Sequence, residues 1–329
     1  MIDWRSLEQA AKVVAGPGPR VDGSRLLELR SQIVGIVDEA SGEVEREAAL
    51  APLPKAELLV VDRFGWIGGN VRTMSQLLDG VDVKGAESKL LAWEGGAFIG
   101  LLARMVLGQY DPFSNQLLIV YPNLGEMSDA DGLRWLLFHE VTHVAQFRAA
   151  PWIADSIIGA TKQALSIDQP GFARDLVRQL PEKLPELLRW ARDALEGRST
   201  STPIFELLPD EQRDAIMRVH ALVTLLEGHA THVTELIAKR VLPGHEEINR
   251  RIAARRKRPP LMRLLEAISG IEMKRQQYVI GKGFCEAVWE HGGAEALAPA
   301  WRGPEWAPTR DELREPDRWL ARVALQKPA

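Results

Sequence analysis

His139, Glu140, Val141, Thr142 and His143 form an HExxH pattern, with two imidazoles four residues apart and a carboxylate beside the first. On an α-helix, residues four apart differ by about 40° in direction, so both rings would leave one face and reach the same ion. Zinc suits such a pair, because it binds neutral imidazole nitrogen and needs no redox chemistry. With one position left open for water, Glu140 would take the water's proton as its oxygen attacks a polarised carbonyl. The chemistry expected is hydrolysis. Leu136, Leu137, Phe138, Val141 and Val144 surround the motif with apolar residues, which argues for a buried helix over a solvated face that happens to carry histidines.

Two histidines do not complete a catalytic zinc site. A third histidine six residues after His143 is ruled out, because Ala149 stands there, and Gln146 replaces the glycine usual in that arrangement. The ligand must then come from a distant segment. Glu227, in LLEGHATHV, is the best candidate: it borders the apolar stripe of Leu222, Leu226 and Val233 in a long periodic run. Gly228 beside it costs about 1 kcal/mol in a helix interior relative to alanine, and close approach of another helix would explain it. His220, His229 and His232 are the rival ligands. For a donor to the oxyanion, Tyr278 in RQQYVIGKGF and Tyr110 in GQYDPF are candidates, each equally readable as a core tyrosine.

The elements that must position these groups are mostly helical. Apolar residues recur at helical spacing from Ser24 to about Ala49, again from Asp62 to Leu78, and from Ala86 to Leu107, where Gly96 and Gly100 suggest close helix packing. Asn115 to Tyr121 reads as a strand. Asp129 or Asp131 would cap the helix that carries HExxH, which should end before Pro151. A further helix is expected from Glu211 to Val241, followed by helices over Leu261–Ser269 and Glu272–His291, with a surface loop at Gly197–Pro203. The short connections favour a single α-rich domain over residues 1–329, or two lobes of about 1–196 and 204–329 that meet at the zinc cleft.

Composition removes several classes of function. Against 45 acidic residues stand 41 basic ones, so no overall positive field is available to hold nucleic acid or anionic lipid. The basic run NRRIAARRKRPP at Asn249–Pro260 lacks interleaved aromatic residues and reads as a solvated helix end. Gly281, Lys282 and Gly283 lack the spacing of a phosphate loop. Cys285 is the only cysteine, which excludes an internal disulfide or thiolate cluster, and it reads as a small buried hydrophobe. The start, MIDWRSLEQAAKVV, lacks the pattern of a signal peptide, and the longest apolar stretch, Gly95 to Gly108, is too short to span a bilayer. The expected setting is the cytoplasm, without membrane or nucleic-acid partners.

Several segments together are more specific than HExxH alone. LGQYDPF, the LLIVYPN strand, FHEVTHVAQF followed by PWI, LLEGHA, RQQYVIGKGF and the ending APTRDELREPDRWLARV resemble an uncharacterised bacterial family of zincin-like metallopeptidases. The resemblance extends from about residue 20 to Arg322. It implies a mainly α fold with a small sheet, in which Asn115 to Tyr121 would be the edge strand that lines the cleft and pairs with an extended peptide, and a zinc centre of His139, His143 and Glu227 with Glu140 as base. Some members of that family are linked to deazaflavin cofactor biosynthesis. The sequence departs from thermolysin-like glutamate zincins, which have an acidic residue four positions after the ligand glutamate; Thr231 stands there. The expected activity is zinc-dependent hydrolysis of a peptide or small amide substrate. The alternatives are a non-peptide amide or ester substrate, and a non-catalytic binding or scaffold protein with a structural or vestigial zinc site.

Overall fold

Aspartates start several helices of this chain. In the computed structural model, which describes residues 2–48, 50, 55–78, 86–165, 210–255 and 271–325, Asp3, Asp62 and Asp129 each accept a hydrogen bond from a backbone N–H in the first turn of the helix that follows. These helices are α1 (Trp4–Ala15), α3 (Arg63–Leu77) and α5 (Ala130–Ala149), and α2 (Gly23–Ala48) and α4 (Ala86–Ala103) complete the N-terminal set. Helix α4 stops four residues short of the expected Leu107, because the chain there turns into a strand. Further on come α6 (Trp152–Leu165), α7 (Asp210–Val241), α8 (His245–Arg255), α9 (Ile271–Leu297) and α10 (Pro316–Leu325). The expected loop at Gly197–Pro203 and helix over Leu261–Ser269 lie outside the described residues. Among the described residues, no helix is long and apolar enough to cross a membrane.

The chain divides into two units, one comprising Met1–Ala154 with His232–Arg251 and the other Asp155–Thr231 with Ile252–Ala329. In the first unit, α1 packs on α4 at backbone distance. A Cβ added at Gly96 or Gly100 would collide with the carbonyl of Leu7 or Ala11, so the glycine pair four apart does mark a close helix crossing. The apolar core beneath includes Leu7, Trp66, Ile67, Val71, Ile99 and Val120. Helix α2 lies along α5, and Arg134 of α5 holds Glu39 of α2 at 2.6 Å. Arg251 of α8 reaches Asp129, the residue that caps α5, at 2.6 Å.

The sheet has three strands in the order β1 (Glu57–Val61), β3 (Gln116–Val120), β2 (Gly108–Asp111). Strand β1 runs parallel to β3, and β2 runs antiparallel to it. The strand expected over Asn115–Tyr121 therefore exists but is central, which corrects the expectation that it forms an edge. The run ELLVV, not read as a strand from the sequence, pairs with one side of it, and GQYD takes the other. Strands β1 and β2 are the edges among the described residues. The side chains of β2 alternate as a strand requires. Gln109 donates to Asn70 and Asp111 accepts from Thr73, both on α3, whereas Gly108 and Tyr110 face α5, where the Tyr110 ring lies 6.1 Å from that of Phe147.

In the second unit, α7 and α9 cross through glycines. A Cβ on Gly228 would strike the backbone of Gly281, and one on Gly281 would strike the Thr224 carbonyl. This close approach accounts for a glycine in the middle of α7, and it gives Gly281 a packing role inside a helix in place of any phosphate loop. Phe284 of α9 meets Trp319 of α10 edge to face at 5.3 Å. Arg322 of α10 grips the Glu312 carboxylate at 2.6 and 2.9 Å and the carbonyls of Glu305 and Ala307, which ties down the Pro- and Trp-rich tail. Cys285 is fully buried, and burial pushes its thiol up, as expected of a core residue and not of a nucleophile.

Candidate metal centre

Helix α5 is buried on nearly every face from Gly132 to Gln146, so the HExxH residues are held by packing on all sides. Their spacing puts the two rings together: the His139 and His143 centroids lie 4.9 Å apart with their planes at 90°. One turn earlier, Trp135 stacks on His139 at 5.8 Å with an angle of 7°, which fixes the plane of that ring. His143 Nδ1 lies 2.8 Å from Gln146 Oε1, one turn later. Glu140, only 6% exposed, sits against the first residue of β2, where a Cβ on Gly108 would come within 2.7 Å of its Cγ and 2.9 Å of its Oε1.

Glu227 is carried by α7, an unbroken helix of 32 residues. His139, His143 and Glu227 each offer one ligand atom, and these atoms all lie within 4.8 Å of one another. Two imidazoles and a carboxylate, with zinc bonds of about 2.0–2.2 Å, make a donor set suited to zinc with an open position. The residues present fit the ion.

The other sequence candidates fall elsewhere. His229 packs edge to face on Trp301 at 4.8 Å, and His232 is buried, 5% exposed. His220 receives the Thr224 hydroxyl near its ring, and burial, with Arg310 and Arg314 adding like charge, pushes its pKa down to about 4. None of these three joins the cluster of ligand atoms found among the described residues. The hydroxyl of Tyr110 bonds Asn115 Oδ1 at 3.1 Å in the β2–β3 turn, and burial raises its pKa, followed by the neighbouring charge of Asp111. It is occupied within the turn. The side chain of Tyr278 lies outside the described residues. Two groups at the site went unread in the sequence. Gly108 carried no signal beyond its place in LGQYDPF, and Gln146 was visible only as a departure from a familiar pattern.

A family model described as zincin-like metallopeptidase matches residues 2–320, and the chain belongs to that family. Among solved structures, a crystal structure from Chloroflexus aurantiacus, of "a putative hydrolase with a novel fold", is similar at 27% identity and a TM-score of 0.71, covering 99% of this chain and 100% of the other. No curated protein matches.

Proposed function

We propose that this protein is a zinc-dependent hydrolase that cleaves an amide bond in a peptide or peptide-like molecule. The observation that carries the reading is the convergence of the His139, His143 and Glu227 ligand atoms, with the buried Glu140 next to His139 in the chain. Zinc held by those three side chains would supply a Lewis acid that polarises the scissile carbonyl and acidifies a water. Glu140, adjacent in sequence to one ligand and pressed against β2, would accept the proton of the attacking water and return it to the leaving nitrogen.

The sheet supports a peptide over a small ester. Val120 donates its N–H to Leu107, so in this antiparallel ladder the groups of Leu107, Gln109 and Asp111 turn toward β3, and those of Gly108 and Tyr110 turn to the open side. An extended substrate main chain could pair there, starting at the residue that touches Glu140.

The test is elemental analysis of the purified protein beside a His143→Ala variant, followed by screening of peptide libraries with Glu140→Gln as the blank. The expected result is close to one zinc per chain, lost in His143→Ala, with Glu140→Gln retaining the metal and losing turnover. Protein that takes up no zinc after reconstitution with excess metal refutes the reading.

A further inference from the structure

An imidazole binds an ion only through the nitrogen that carries no hydrogen, so a neutral histidine must be held in the correct tautomer. For His143 the candidate device is local. Gln146 is completely buried, at 0% exposure, and its Oε1 lies 2.8 Å from His143 Nδ1. An amide oxygen can only accept, so this contact requires the ring hydrogen on Nδ1 and leaves Nε2 bare. Because Gln146 follows His143 by three residues, both side chains stand on one face of α5, and a helix packed on all sides fixes their relation. A leucine would fill this interior position at no polar cost, whereas a buried amide costs free energy unless it is hydrogen-bonded.

We propose that Gln146 is a positioning residue for the metal centre, holding His143 as the Nδ1–H tautomer so that Nε2 is presented as the ligand atom. This rests on the zinc-site reading above. It gives a role to the residue that stands in place of the glycine of the three-histidine pattern.

Two variants separate the hydrogen bond from simple packing. Gln146→Met keeps the volume and removes the acceptor, whereas Gln146→Glu keeps an acceptor at the same reach. Two quantities are measured: the His143 tautomer in metal-free protein, by long-range proton–nitrogen correlation spectra, and zinc affinity at fixed pH, by competition with a chromophoric chelator. Wild type should show Nδ1–H. In Gln146→Met the ring should populate the Nε2–H form and zinc affinity should fall ~10–100-fold, with Gln146→Glu restoring both. An unchanged tautomer or an unchanged zinc affinity in Gln146→Met overturns the assignment. Should that variant fail to fold, Gln146→Glu decides alone: zinc binding weaker than wild type, or an Nε2–H ring, overturns it. A wild-type protein that binds no zinc refutes the hydrolase reading instead, and the metal-free spectra still report whether Gln146 selects the tautomer.

Discussion

Gly108→Ala is the most direct probe of the proposed general base, Glu140. Gly108 is not among the glycines with a left-handed backbone, so alanine meets no conformational obstacle there, and the consequence of substitution is confined to what its Cβ touches. That atom would stand 2.7 Å from Glu140 Cγ and 2.9 Å from Cδ and Oε1. Carbon contacts settle at about 3.5–4.0 Å, so the glutamate must retreat by about 1 Å. Its end is flexible, and the retreat should cost little stability. The cost should fall on the reaction, since a displacement of about 1 Å from productive geometry is worth on the order of 100-fold in rate, or about 2.7 kcal/mol of barrier. On any peptide that the wild type cleaves, kcat should fall by about that factor with KM, zinc content and melting temperature nearly unchanged. Glu140→Asp in the Gly108→Ala background, which draws the carboxylate back by one methylene, should lose less than the two single effects combined. A crystal structure of the variant should show the carboxylate displaced. Full activity in Gly108→Ala, or loss of activity together with loss of zinc, would refute the reasoning.

Two further outcomes test the scaffold. Gly228→Ala gains about 1 kcal/mol of helix propensity, but its Cβ collides with the backbone of Gly281. Overpacking of that kind typically costs about 1–3 kcal/mol, so the variant should melt lower than wild type and bind zinc more weakly as Glu227 shifts with the helix; a higher melting temperature would contradict the observed crossing. His220, held neutral by burial and by Arg310 and Arg314, has a folded pKa of about 4 against an ordinary 6.5. The unfolded chain therefore binds a proton that the folded one refuses. Stability from this group is complete above pH 6.5 and declines as pH falls toward 4. In urea titrations across that window, His220→Gln should lose less stability than wild type, and parallel pH profiles would show that His220 stays neutral for no such reason.

The HExxH helix was fully legible in the sequence, because its geometry is local: a helical spacing of four fixes the two rings on one face wherever the helix lies, and Asp129 and Pro151 bound it. The glycines at positions 96, 100 and 228 were legible in the same way, since each is costly in a helix unless another backbone comes close. What the tertiary structure decided is long-range. Four residues of α7 were plausible third ligands from sequence, and only Glu227 converges on His139 and His143, from 84 positions along the chain. Apolar content marked Gln116–Val120 as a strand but could not say which edges it keeps, because pairing with Glu57–Val61 and Gly108–Asp111 depends on how the intervening helices pack. For the same reason Gly108 meets Glu140 across 32 residues of chain, a contact that no local period encodes. Spacing along a helix sets which side chains share a face, and the packing of whole elements sets what that face meets.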